Sequence, residues 1–235
     1  MWCGERVQKI CHEIRAFRLR KTLRKHYKKL NEKMQTPAPS PPASPAALAP
    51  CVRDRSLVLV GMMGAGKSWL GRRLAARLAR PFYDADDEIA RAAQCSIADM
   101  FARHGEAHFR AREHAMLVDL LARPPSVIAA GGGAFAHKPT HEAIQAGAIS
   151  IWLNTDAALM LRRLRTAHTE HSVRAKRPLL PSAEQELPQA LARLSAERAP
   201  WYRKAHIMLA PPEDGDAAVD LALKRLKDAP QPTLA

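Results

Sequence analysis

Eight residues, Gly61-Met62-Met63-Gly64-Ala65-Gly66-Lys67-Ser68, carry the spacing G-x-x-x-x-G-K-[ST]. A loop of this kind turns backbone N–H groups toward phosphate oxygens, because glycine adopts dihedrals that other residues resist. Gly64, Ala65 and Gly66 would form the cradle. Lys67 would reach the outer phosphates as a point charge, and the Ser68 hydroxyl suits a magnesium ion. Downstream stand Asp84 and Asp86. Two carboxylates beside a phosphate loop can divide two tasks. One sits in the outer shell of Mg²⁺, and the other orients or deprotonates an attacking hydroxyl. Either could also cap the helix that follows.

Three further groups could complete a site. Gly131-Gly132-Gly133 would let a ligand press against bare backbone, though such a run also serves as a plain turn. Arg110 and Glu113 are three residues apart, so on a helix the carboxylate can hold the guanidinium in place, and a held arginine grips carboxylates well. A surface ion pair has the same spacing. Arg174, Lys176 and Arg177 crowd a charged stretch with little apolar periodicity, as in a lid that brings cations onto a transferring phosphoryl group. Arg198, in Glu197-Arg198-Ala199-Pro200-Trp201-Tyr202, is unremarkable by itself.

Alternating strands and helices must position these groups. Ser56–Val60 is a short branched apolar run, the pattern of a buried parallel strand, and helical spacing follows through Leu70, Leu74 and Leu78. Further strands are expected over 81–84, 126–130, 149–153 and 206–210. Helices are expected over 97–101, 106–121, 139–147, 156–165, 184–203 and 216–227. The helix over 156–165 carries Leu159, Leu161 and Leu164 as its apolar positions, and residues 166–182 read as a mobile loop. This alternation predicts an α/β parallel sheet with helices on both faces. Open sheets of this class bind ligands at the carboxyl ends of the strands, where Asp84, Asp86 and the glycine run would lie.

Composition limits the alternatives. Hydrophobic residues make up 47% of the 235, enough for a packed core. The net charge is +14, and residues 1–33 carry eleven Lys/Arg against three Glu, a surplus of eight. Residues 1–35 therefore read as a basic N-terminal extension with helical spacing, whose role the sequence leaves unknown. It could meet nucleic acid or acidic lipid, or be a loosely ordered tail upstream of a natural start at Met34. Residues 36–51 form a Pro/Ala-rich linker, 52–228 the folded domain and 229–235 a tail. Cys3, Cys11, Cys51 and Cys95 are scattered without a C-x-x-C pair, which argues against a disulfide framework and for the cytoplasm. No apolar run approaches the ~20 residues of a membrane span. The charged N-terminus has no apolar stretch of the kind a secretory signal carries.

Taken together, Gly61–Gly71 (GMMGAGKSWLG), Phe82–Ile89 (FYDADDEI), Ser96–Glu113 (SIADMFARHGEAHFRARE), Ala130–Ala134 (AGGGA), Arg177–Leu180 (RPLL) and Glu197–Tyr202 (ERAPWY) resemble the shikimate kinase family, in the family order. The resemblance implies a P-loop fold like that of nucleoside monophosphate kinases, with five parallel strands in the order 2-3-1-4-5. It implies transfer of a phosphoryl group from ATP, with Mg²⁺, to the 3-hydroxyl of shikimate. By position, Asp86 resembles the aspartate on the shikimate hydroxyls and Asp84 the acid near the metal, with Ser68. Arg110 and Arg198 resemble the carboxylate clamp, with Glu113 orienting Arg110. Gly132, between Gly131 and Gly133, resembles a shikimate contact. Arg177 resembles the lid arginine on the ATP phosphates, making Lys67, Asp86 and Arg177 the catalytic set. Arg165 resembles the arginine beside adenine. The family implies no obligate protein partner and a monomer. Three features depart from its pattern. Trp69 stands where a small hydroxyl residue is usual, so its ring is expected to stack or pack near the nucleotide's edge. The stretch between Arg165 and Arg177 is long. No arginine lies near Pro211–Asp214.

Two other readings compete. A kinase of the same architecture acting on gluconate or a nucleotide would share the loop, but a nucleotide acceptor needs a site for a second phosphate. Asp86, Arg110 and Arg198 instead suit a polyol with one carboxylate. A weakly catalytic P-loop module binding nucleic acid through its basic arm would show steep salt dependence. The presence of Lys67, Asp86 and Arg177 speaks against it.

Overall fold

The computed structural model describes residues 48–168 and 184–229. The basic extension, most of the linker, the lid stretch with Arg174, Lys176 and Arg177, and residues 230–235 lie outside the described residues. In chain order the elements are α1 (Pro50–Arg53), β1 (Ser56–Val60), α2 (Lys67–Arg77), β2 (Phe82–Asp84), α3 (Ala85–Ala93), α4 (Ile97–Ala122), β3 (Val127–Ala129), α5 (Lys138–Gly147), β4 (Ala148–Leu153), α6 (Ala157–His168), α7 (Leu187–Tyr202), β5 (Ile207–Leu209) and α8 (Gly215–Lys227). Short 3₁₀ turns cover Ala134–Ala136 and Glu184–Glu186.

The strands form one parallel sheet in the order β2-β3-β1-β4-β5, as the resemblance implied. Leu57 pairs with Val127 on one side and Ile149 on the other. Every residue of β1 is buried, on both sides of the pleat, so helices cover both faces of the sheet. That explains why β1 reads as a continuous apolar run rather than an alternating one. The bare Gly71 of α2 sits against Leu59 and Phe82, where a side chain would collide with the Phe82 ring. The fold also takes in the end of the Pro/Ala stretch. Leu48 and Val52 are buried, Ala49 N–H donates to Leu226 O at 3.3 Å, and Arg80 donates to the carbonyls of Val52 and Arg53 at 2.9 and 2.7 Å.

Two helices were expected over 97–101 and 106–121. The chain forms one run, Ile97–Ala122, broken at Gly105, whose φ of 76° and ψ of 175° are not helical. The Ser96 hydroxyl caps its start, accepting from Asp99 N–H at 3.0 Å. Ile97 and Met100 of the first half, Phe109 from beyond the break and Ile89 of α3 form a small core of their own, separate from the main core under the sheet. The second half carries Arg110 and Glu113.

Candidate active site

The phosphate loop leaves β1 at its carboxyl end and enters α2 through Gly66, whose φ of 97° is closed to most side chains. Lys67 Nζ donates to the carbonyls of Gly61 and Met62 at 2.9 and 3.0 Å, so the lysine folds over its own loop. The loop is fastened from outside. Thr155 Oγ1 donates to Ala65 O at 3.0 Å, and Arg163 of α6 donates to Gly64 O and Ala65 O at 3.3 and 3.2 Å.

Asp84 stands at the N-cap position of α3, but its side chain caps nothing. It accepts instead from Ser68 Oγ at 2.5 Å. A hydroxyl and a carboxylate oxygen held together are the hard donors that magnesium prefers, so these residues fit the metal that the loop implies. No cluster of three His, Cys, Asp or Glu that could hold a metal occurs among the described residues. An ion here would therefore draw its other ligands from phosphate oxygens and water.

Asp86 lies two residues further on, in the first turn of α3. Burial pushes its carboxyl up to about 7, and the neighbouring Glu113 and Asp84 push the same way against Lys67 and Arg110. Glu113 is fully buried, and burial raises its carboxyl too, opposed by Arg110 and Arg198. Arg110 is held on two sides. Its Nη1 donates to Glu113 at 2.5 Å, and its Nη2 and Nε donate to Glu106 at 2.9 and 3.2 Å. Arg198 comes from α7 and is 7% exposed. Its Nη1 has no hydrogen-bond partner among the described residues, and neither has Glu113 Oε1. A buried guanidinium with an unmet donor is costly unless an anion arrives to accept from it.

The three glycines have spatial reasons that the sequence did not disclose. A methyl group on Gly131 would run into Glu113 Oε1 and stand 3.0 Å from Asp86 Oδ1. One on Gly133 would strike the Arg110 guanidinium, and one on Gly132 would sit 3.5 Å from Arg198 Nη1. The run is thus a bare backbone floor on which the charged side chains of α3, α4 and α7 converge. Tyr202 fixes it from below by donating its hydroxyl to Gly132 O, and burial pushes that hydroxyl up to about 12.

These groups line one cleft of about 430 Å³ at the carboxyl edge of the sheet. Gly64, Gly66, Lys67, Ser68, Trp69, Asp84, Asp86, Arg110, Gly131, Gly132, Gly133 and Arg198 all face it. Ala65 is buried behind the loop. Arg165 is exposed on α6 and is not among the lining residues, whereas Arg163 is. Arg177 lies outside the described residues. Sequence reasoning missed Arg163, Glu106 and Tyr202. Glu106 was accessible, since it stands four residues before Arg110 on the same helix face.

The family model described as shikimate kinase matches residues 63–227. A shikimate kinase of Nitrobacter winogradskyi is 49% identical over 170 residues, covering 72% of this chain and 75% of its own. One of Bradyrhizobium diazoefficiens is 47% identical over 169 residues, covering 72% and 77%. Among solved structures, shikimate kinase from Acinetobacter baumannii in complex with shikimate matches with a TM-score of 0.65 and 37% identity, covering 74% of this chain and 91% of that one.

Proposed function

The chain belongs to the shikimate kinase family, and from that premise we propose how its own residues divide the work. The reaction is ATP-dependent phosphorylation of shikimate. The γ-phosphoryl group passes to the 3-hydroxyl, giving shikimate 3-phosphate and ADP, a step toward the aromatic amino acids.

Shikimate carries one carboxylate and three ring hydroxyls. Arg110 and Arg198 take the carboxylate, with Glu113 and Glu106 holding Arg110 in place. The observation that carries this assignment is the unmet Nη1 donor of buried Arg198, aimed over Gly132. The ring then lies on the bare backbone of Gly131–Gly133, and its 3-hydroxyl meets Asp86. A carboxyl raised to about 7 can accept that proton as the hydroxyl oxygen attacks phosphorus and the bond to the ADP oxygen breaks. Lys67 steadies charge on the transferring group, and the loop of Gly64, Ala65 and Gly66 holds the phosphates behind it. Arg177 serves as the lid cation and Arg165 or Arg163 as the arginine beside adenine, the second supported by its place in the cleft. Ser68 directly, and Asp84 through water, would hold Mg²⁺, which when bound neutralises charge on the phosphate oxygens.

The kinase unit is residues 52–228, preceded by the basic extension 1–35 and the linker 36–51 and followed by the tail 229–235. It acts as a monomer in the cytoplasm. The acceptor site draws Asp86, Arg110, Gly131–Gly133 and Arg198 from one chain, and no helix of the described residues is long and apolar enough to cross a membrane.

Release of ADP from Mg-ATP by the full-length chain tests the acceptor. It should rise at least a hundredfold on adding shikimate. The same rate with and without shikimate would remove that acceptor.

A further inference from the structure

Trp69 breaks the usual rule for a large apolar side chain. It is 38% exposed, and it lies in the first turn of α2, directly after Ser68. Side chains on a helix lean back toward its N-terminus, so the ring tilts toward the end of α2 that receives phosphate. It also lines the cleft. Its other company is cationic. The Arg73 guanidinium lies 4.1 Å from the ring centroid, and Arg73 is not among the residues lining the cleft. A cation over an indole holds the ring in one orientation and leaves its flat surface available elsewhere.

The cleft fixes which part of a nucleotide reaches this ring. Asp86 and the clamp occupy one end, so the transferring phosphoryl group must face them. The α-phosphate and nucleoside then run the opposite way, and Trp69, Arg72 and Arg163, none of them part of the clamp, also line the cleft. Arg163 is already committed to the carbonyls of Gly64 and Ala65. Of the aromatic rings that line the cleft, Phe101 and Phe109 belong to α4, and Trp69 belongs to α2, directly after Ser68.

We propose that Trp69, braced by Arg73, is a stacking platform for the nucleoside of ATP, so that α2 supplies both the phosphate contact and a base contact. This rests on the ATP reading above and adds a part of the ligand that the loop itself does not recognise. Stacking is tolerant of base identity, because every base has a π face. The platform therefore tightens nucleotide binding without selecting adenine.

The test is calorimetric titration of the full-length chain with ADP, GDP and inorganic tripolyphosphate, comparing wild type, Trp69→Phe, Trp69→Ala and Arg73→Ala. Trp69→Ala should weaken ADP and GDP about tenfold, a fair value for one stacked base, and leave tripolyphosphate within twofold. Trp69→Phe should recover most of the loss, and Arg73→Ala should fall between. Unchanged ADP affinity in Trp69→Ala would overturn the platform, as would an equal loss for ADP and tripolyphosphate. Shikimate-dependent turnover of the wild type is read separately, so the platform can fail while the kinase reading stands.

Discussion

The two ends of the cleft are built on opposite principles. At the proposed acceptor end, the charged side chains are taken out of water. Glu113 is fully buried, Arg198 nearly so, and Asp86 is raised to about 7. At the proposed nucleotide end, the site is mostly backbone, a loop held by Thr155 and Arg163, and Trp69 stays exposed. A phosphate chain is strongly charged and can be met by N–H groups and one lysine. A hydroxy acid with a single carboxylate offers less charge, so the site that selects it concentrates opposing charges before it arrives.

The largest break of this contrast is Asp86→Asn. It removes the proton acceptor while keeping the shape, and should lower kcat by roughly 10²- to 10⁴-fold. ADP affinity, read by calorimetry, should stay within about threefold. A near-normal kcat would take Asp86 out of the chemistry.

Next in size is Glu113→Ala. It leaves Arg110 and Arg198 without their buried partner and should cost about 3 kcal/mol of stability, because removing one member of a buried pair strands the other. Glu106→Ala touches the same guanidinium from the exposed side, where pairs contribute at most about 1 kcal/mol. Urea denaturation of both variants gives the ratio. Equal losses would mean that Glu113 is no more than another surface partner.

A further effect is on pH dependence. The native protein holds the Asp86 proton more tightly than the unfolded chain does, with about 7 against an ordinary 3.8. Stability from this group is therefore fully present below about pH 4 and is lost as pH rises toward 7. The ligand-free melting temperature should fall over that window, and Asp86→Asn should flatten the fall. In the wild type, kcat/KM should climb through about pH 7 as Asp86 ionises. A melting temperature that rose over the window in wild type, with no difference in Asp86→Asn, would contradict the raised carboxyl.

The same contrast decided what the sequence could disclose. The nucleotide end is local. Strand, loop and helix lie in one stretch, and each glycine and the lysine could be read from spacing alone. The acceptor end is assembled from Asp86, Arg110, Gly131–Gly133 and Arg198, brought together by a strand order that no local pattern encodes. Only the resemblance joined them beforehand. The glycines looked like a turn because their reason is the space beside Glu113, Arg198 and Arg110, not their dihedrals. In α6 the leucines at 159, 161 and 164 marked the helix as apolar positions without fixing its buried side; Met160 and Leu164 are the buried pair, and they pack at Gly64. Arg163 shares that face. Arg165, about 200° further around a helix, points away. Arg165 came from the resemblance alone, whereas Arg163, which donates to the loop carbonyls, stands on the buried face of α6.

The central claim is that Arg110 and Arg198 meet a carboxylate over the glycine floor. The direct test is calorimetric binding of shikimate and of its analogue with the carboxylate replaced by hydroxymethyl, to wild type and to Arg198→Met. The account expects wild type to prefer shikimate by at least a hundredfold and the variant to lose most of that preference, mainly through weaker shikimate binding. Equal preference in both proteins would show that the carboxylate is held elsewhere.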